Sequence, residues 1–171
     1  MDHPLSPDDF AVVERQLGRP VLGAATVAHR CECGLPDVLR TPPRLPDGSP
    51  FPTLYYLTCA RLNAAVSTLE AEGLMRQMQA RLVDDLDLAA RYGAAHDDYL
   101  RRRNAIEAVD EIAGVSAGGM PERVKCLHVL VAHALAAGPG VNPLGDEALT
   151  ELTARDVIPR RTPCVDAAGQ S

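Results

Sequence analysis

The sequence predicts an α+β domain dominated by helices, with a small, three-stranded antiparallel sheet toward its N-terminal end. Apolar residues recur at helical spacing over most of the chain from Ala60 onward. Ahead of that stretch lie short extended runs, one of them rich in aromatic and β-branched residues. Their connections are too short for parallel crossovers, so the strands should pair antiparallel. No internal repeat interrupts this order, and the chain reads as one domain over residues 1–155 followed by a disordered tail over 156–171.

The first element is a helix. Ser6 suits the N-cap, Pro7 the first helical position, and Asp8 and Asp9 the positive end of the helix dipole. Phe10, Val13 and Leu17 follow at helical spacing and Gly18 ends the run. Residues 22–30 (LGAATVAHR) read as a strand, and Val38–Thr41 as a second strand beyond a turn containing Gly34 and Pro36. Five prolines between 42 and 52 exclude both helix and central strand there. TLYYLTC then supplies the third strand, ending at Cys59.

Leu62, Val66 and Leu69 form the stripe of the next helix, with a break at Gly73. Leu74–Leu82 and Leu88–Leu100 continue as helices on either side of the acidic DDLD. Arg101–Arg103, with Asp97, Asp98, Glu107 and Asp110, reads as a solvated charged face. AGVSAGGM is a glycine-rich connector, and Pro121 suits the first turn of the most apolar helix, PERVKCLHVLVAHALAAG. A loop, GPGVNPLGD, leads to a short last helix over Asp146–Thr153.

Composition narrows the function. The chain has 171 residues, 46% apolar, and a net charge of −6, which excludes a protein that coats nucleic acid through clustered positive charge. No apolar run reaches the roughly 20 residues of a membrane-spanning helix. MDHPLSPDDF lacks the apolar core of a secretory signal, so a cytoplasmic location is expected. The basic set is sixteen Arg and a single Lys, Lys125, a bias that fits GC-rich coding.

In a reducing compartment the five cysteines should be free or metal-bound. Cys164 falls in the tail and is set aside. Cys31 and Cys33 form a C-x-C pair at a strand-to-turn junction, where Gly34 permits the bend that lets two thiolates converge; the bland alternative packs one of them inward. Cys59 precedes a helix, where a thiol pKa falls, although free cysteine is also among the most buried residues. Cys126, His128 and His133 share the apolar helix. On a regular helix Cys126 and His133 lie on nearly one face, whereas Cys126 and His128 are about 200° apart. A histidine in such a helix is most often a hydrogen-bonded structural residue.

Taken together, Cys31, Cys33, Cys59 and Cys126, with His128 or His29 as an alternative ligand, are the candidates for a zinc or iron–sulfur site. A thiol nucleophile, Cys59 or Cys126 beside a histidine, is the competing use. Arg30, and Arg123 with Lys125 behind Gly118 and Gly119, are candidates for binding a small anionic or phosphorylated ligand. No P-loop, GxGxxG, GxSxG or HExxH motif is present.

The stretches HRCECGLPDVLRTPPRLPDGSPFPTLYYLTCARL and SAGGMPERVKCLHVLVAHALAAGPGVNPLGDEAL resemble the DUF501 family, found mostly in actinobacteria. The resemblance runs from about Asp8 to Leu152 and includes Cys31, Cys33, Cys59 and the Lys125–His128 segment. Many members place proline where this chain has Ala60. The family carries no assigned reaction. Its genes often lie near those for enolase, a septum-formation protein and an exopolyphosphatase-like enzyme, which adds an interaction role linked to cell division to the expectations.

Overall fold

The computed structural model describes residues 3–21 and 23–165. Its strands are β1 (His3–Pro4), β2 (Thr26–Arg30), β3 (Pro36–Arg40) and β4 (Tyr55–Leu57). Its α-helices are α1 (Pro7–Leu17), α2 (Ala60–Ala71), α3 (Leu74–Asp84), α4 (Leu86–Asn104), α5 (Leu127–Ala137) and α6 (Pro143–Ala154). The strands form one antiparallel sheet in the order β1-β2-β3-β4. That is one strand more than the sequence predicts. β1 pairs only His3 with Val27 and Pro4 with Thr26, too short a run to show any alternation.

Helix α1 begins as its sequence dictates. Ser6 Oγ accepts the Asp9 N–H, the Asp9 carboxylate accepts the Ser6 N–H, and Gly18 closes the helix in the left-handed region. The sheet is covered on both faces. Leu39 packs with Val13, Ala25 and Val27 beneath α1, whereas Val38, Tyr55 and Leu57 enter the main core formed with the helices. Burial on both faces explains why Pro36–Leu39 is buried without interruption.

Helices α5 and α6 meet closely at Gly145. A Cβ built on it would lie 2.2 Å from the Leu130 carbonyl oxygen and 2.8 Å from the Ala134 Cβ. Helix α6 starts three residues before Asp146, because Asn142 caps it through the Gly145 N–H and Pro143 takes its first turn.

Three further expectations change. Arg103 is not solvated: it is 1% exposed and donates to the carbonyls of Pro52, Ile112 and Val115, tying the ends of two loops to α4. Residues 157–164, expected in a disordered tail, lie against the domain. Val157, Ile158 and Cys164 pack on the main core, and Arg61 donates to the carbonyls of Thr162 and Pro163. Residues 166–171, the rest of that expected tail, lie outside the described residues, as does Leu22 of the expected first strand.

The third change bears on the site. The helix expected from Pro121 starts at Leu127. Residues 118–125 instead close a loop on themselves, with the Arg123 N–H on Gly119 O and the Lys125 N–H on Gly118 O. Gln79 clamps that loop, accepting from the Val124 N–H and donating to Glu122 O, and Tyr92 Oη donates to Arg123 O. Gly119 is required here, since a Cβ would sit 2.7 Å from Arg123 O. Among the described residues no helix is long and apolar enough to cross a membrane.

Candidate metal site at the start of α5

Because α5 starts late, Cys126 is its N-cap, with extended backbone (φ −154°, ψ 109°). The 200° divergence expected on a regular helix therefore does not apply. The Cys126 side chain turns toward His128 in the first turn, and Sγ lies 4.0 Å from Nδ1. Helix α2 supplies the rest. Glu70 Oε1 lies 3.3 Å from the same Nδ1 and accepts the Leu127 N–H at 2.8 Å. It thus satisfies a donor that the helix start leaves free. On the far side of the ring, Nε2 is 3.2 Å from Asn63 O and 3.3 Å from Ser67 Oγ.

The Asn63 carbonyl can only accept, so Nε2 carries a proton. An Nε2–H donated to the Asn63 carbonyl leaves Nδ1 facing Sγ and the carboxylate, the usual way a backbone acceptor orients a metal-binding histidine. Ligand atoms of Glu70, Cys126 and His128 all lie within 4.8 Å of one another. Among the described residues they are the one such group of three or more His, Cys, Asp or Glu side chains. Zinc bonds of about 2.0–2.3 Å put tetrahedral neighbours roughly 3.3–3.8 Å apart. The 3.3 and 4.0 Å separations lie within a few tenths of an ångström of that range, whereas Cys126 Sγ and the Glu70 carboxylate, within 4.8 Å of each other, would have to close by up to about 1 Å.

Electrostatics couple the thiol to the imidazole, and a metal would have to displace the proton they share. The hydrogen bond with Cys126 is the largest influence raising the His128 pKa, to about 9; burial opposes it, and the Glu70 charge and the Asn63 carbonyl add to it. Burial on its own would raise the Cys126 thiol, but the His128 and Val129 hydrogen bonds outweigh it and hold the thiol below its ordinary value. A thiol of lowered pKa, a carboxylate and a histidine that holds its second proton up to about pH 9 thus converge from two helices. Cys126 and His128 also line a cleft of about 400 Å³, together with Asn63, Tyr55, Tyr56 and Val129.

The four-thiolate site does not form. Cys31 and Cys33 are joined in a disulfide, so their sulfurs are neither free nor available as ligands. Cys59 is 2% exposed and belongs to the core. Its pKa is pushed up to about 11, first by burial and further by the neighbouring Cys164 thiol, the reverse of the lowering expected at a helix start. Cys164, set aside on sequence, accepts a hydrogen bond from Gln16 Nε2 at 3.3 Å. Only Cys126 and His128 of the expected ligands come together, and one thiolate is too few for an iron–sulfur cluster.

The expected anion site is likewise divided. Arg30 is committed to Asp9 in a bidentate pair, both bonds 2.8 Å. The pairing holds the Asp9 carboxyl down to about 2. Arg123 and Lys125 stand exposed on the loop before α5, along a separate shallow groove.

His29 pairs with Asp37 at 2.7 Å. His133, fully buried, is a structural residue: Nε2 faces Asp98 at 3.0 Å, Nδ1 faces the Asn142 amide at 3.2 Å, and the ring stacks on Tyr55. The candidate ligand that sequence reasoning missed is Glu70. It sits 58 positions from His128, an ordinary helix glutamate with no spacing motif to mark it.

Fold and site together define a helix-dominated α+β domain with a mixed carboxylate–thiolate–imidazole cluster between two helices. The DUF501 model, described as a protein of unknown function, matches residues 27–150, and the chain belongs to that family. Glu70, Cys126 and His128 all fall inside the matched region. No curated protein and no solved structure matches the chain.

Proposed function

We propose that this protein binds a divalent metal ion of the zinc class through Glu70, Cys126 and His128. The observation that carries the reading is the convergence of three chemically different ligand atoms within 4.8 Å, with His128 turned so that Nδ1 faces the other two. A mixed N/O/S set suits zinc. Three protein ligands leave a fourth position, the pattern of zinc sites that act on a bound water or substrate. The adjoining cleft of about 400 Å³ gives that position somewhere to open.

The test is zinc titration of chelator-treated protein, with elemental analysis after desalting. One equivalent should bind to wild-type protein and be lost in Cys126→Ser and His128→Ala. Glu70→Gln keeps the acceptor for the Leu127 N–H while removing the charge, so it should fold and bind more weakly. Retention of the metal by Cys126→Ser would refute the assignment.

One observation favours a second reading. Cys126 stands at a helix N-terminus with an imidazole 4.0 Å away, which is also how a thiol nucleophile is activated. The enzyme would then act on a small substrate in the same cleft. Rapid alkylation of Cys126 that zinc does not slow would favour this reading over the metal site.

A further inference from the structure

A second cavity, of about 380 Å³, is lined by Cys31, Arg30, Cys59, Arg61, Leu62 and Ile158 among others. It holds the edge of the Cys31–Cys33 disulfide, a group the metal site does not use. We propose that this cavity is a thiol–disulfide exchange site, in which the disulfide takes two electrons from two equivalents of a low-molecular-weight thiol whose carboxylate is held by Arg61.

Four features carry the proposal, and none depends on the Glu70 site. The disulfide closes a loop of only two residues' separation, and such short loops constrain the unfolded chain least, so stabilisation is a weak reason for it. Its Cys31 side faces the cavity. The Cys33 N–H points at Cys31 Sγ from 3.3 Å, a donor that favours a thiolate at Cys31 once the bond opens.

The cations provide the fourth feature. Arg30 is neutralised by Asp9 and Arg160 by Asp156, whereas Arg61 donates to the neutral oxygens of Thr162 and Pro163. Among the described residues Arg61 is thus the lining arginine with no carboxylate partner, and a ligand carboxylate could take the place of those oxygens. A pocket this size holds a tripeptide-sized thiol. Cys59, buried beside it, stays protonated and does not compete as a nucleophile.

The chemistry balances with two equivalents of the thiol. The first thiolate attacks Cys31 Sγ, forming a mixed disulfide and breaking the Cys31–Cys33 bond. The Cys33 sulfur leaves as a thiolate and takes a proton from solvent. A second thiolate attacks the ligand sulfur of the mixed disulfide and expels the Cys31 thiolate. Two thiols become one small disulfide, and the protein disulfide becomes a dithiol. A low-molecular-weight disulfide drives the same steps in reverse.

The test uses glutathione as the probe. The full-length protein is equilibrated in glutathione buffers of graded thiol-to-disulfide ratio, alkylated and read by mass spectrometry. The Cys31–Cys33 pair should switch between disulfide and dithiol as one two-electron couple. In oxidised glutathione, Cys33→Ser should collect one glutathione at Cys31, with Cys31→Ser collecting at least tenfold less at Cys33. Arg61→Ala added to Cys33→Ser should slow adduct formation severalfold, with unchanged circular dichroism.

A wild-type pair that stays oxidised, or stays reduced, across all ratios overturns the proposal even if the variants fail to fold. Equal adducts at the two cysteines, or protection of both thiols by a chelatable metal, overturn it too. An adduct rate indifferent to Arg61 overturns the assigned ligand class.

Discussion

Gly145→Ala is the sharpest test of how α5, which carries Cys126 and His128, is seated. Helix propensity alone would make the change stabilising by about 1 kcal/mol, since glycine is the poorer helix former. Packing opposes it. The new Cβ would lie 2.2 Å from Leu130 O, 2.9 Å from Leu130 C and 2.8 Å from Ala134 Cβ. Two of these atoms are backbone, so no side-chain rotation relieves the clash. To reach ordinary van der Waals distance, α5 and α6 must separate by about 1 Å, and overpacking of this kind costs about 3 kcal/mol. The net loss is then about 2 kcal/mol, a fall in melting temperature of roughly 4–8 °C for a domain of this size.

Gly93 provides the control. It lies within α4 and a Cβ there meets nothing within 4 Å. Gly93→Ala should therefore stabilise the protein by about 0.5–1 kcal/mol. Both variants are compared with wild type by thermal and urea denaturation. If Gly145→Ala is as stable as wild type, or both alanines shift stability equally, the close α5–α6 contact is wrong.

Other outcomes follow from the same geometry. Arg103→Met removes the donor shared by three loop carbonyls and should destabilise by about 3 kcal/mol in urea unfolding. His133→Ala deletes a fully buried ring between Tyr55 and Tyr99 and strips Asp98 and Asn142 of a partner. It should cost about 3 kcal/mol by the same measurement and leave zinc stoichiometry unchanged.

Acid titration tests the Asp9–Arg30 pair. The Asp9 pKa is depressed from 3.8 to about 2, so its contribution is present above pH 3.8 and is lost as pH falls through about 2. Asp9→Asn should flatten that part of the stability–pH curve. Zinc affinity should weaken as pH falls, because binding must displace protons from the Cys126 and His128 pair.

The parts of the fold legible in the sequence were those with local causes. The Ser6 cap, Pro7 and Gly18 marked α1 within the chain's first residues, and the stripe of Leu62, Val66 and Leu69 marked α2. Where distant partners decide, sequence patterns misled. Pro121 has the chemistry of a helix start, yet Gln79 and Tyr92 hold the loop around it in another shape. Moving that start by six residues, from Pro121 to Leu127, turned Cys126 and His128 from diverging residues into neighbours.

Arg103 reads as surface charge until the loop carbonyls that surround it are known. The cysteines were the right residues to watch, but their grouping was tertiary. Cys31 pairs with Cys33, Cys59 faces Cys164, and Cys126 meets Glu70 and His128.

Zinc K-edge X-ray absorption on protein reconstituted with one equivalent of zinc tests the central claim most directly. The site should give one sulfur neighbour at about 2.3 Å and nitrogen or oxygen neighbours at about 2.0–2.2 Å. A shell of several sulfurs, or a zinc without sulfur, would contradict the Glu70–Cys126–His128 assignment.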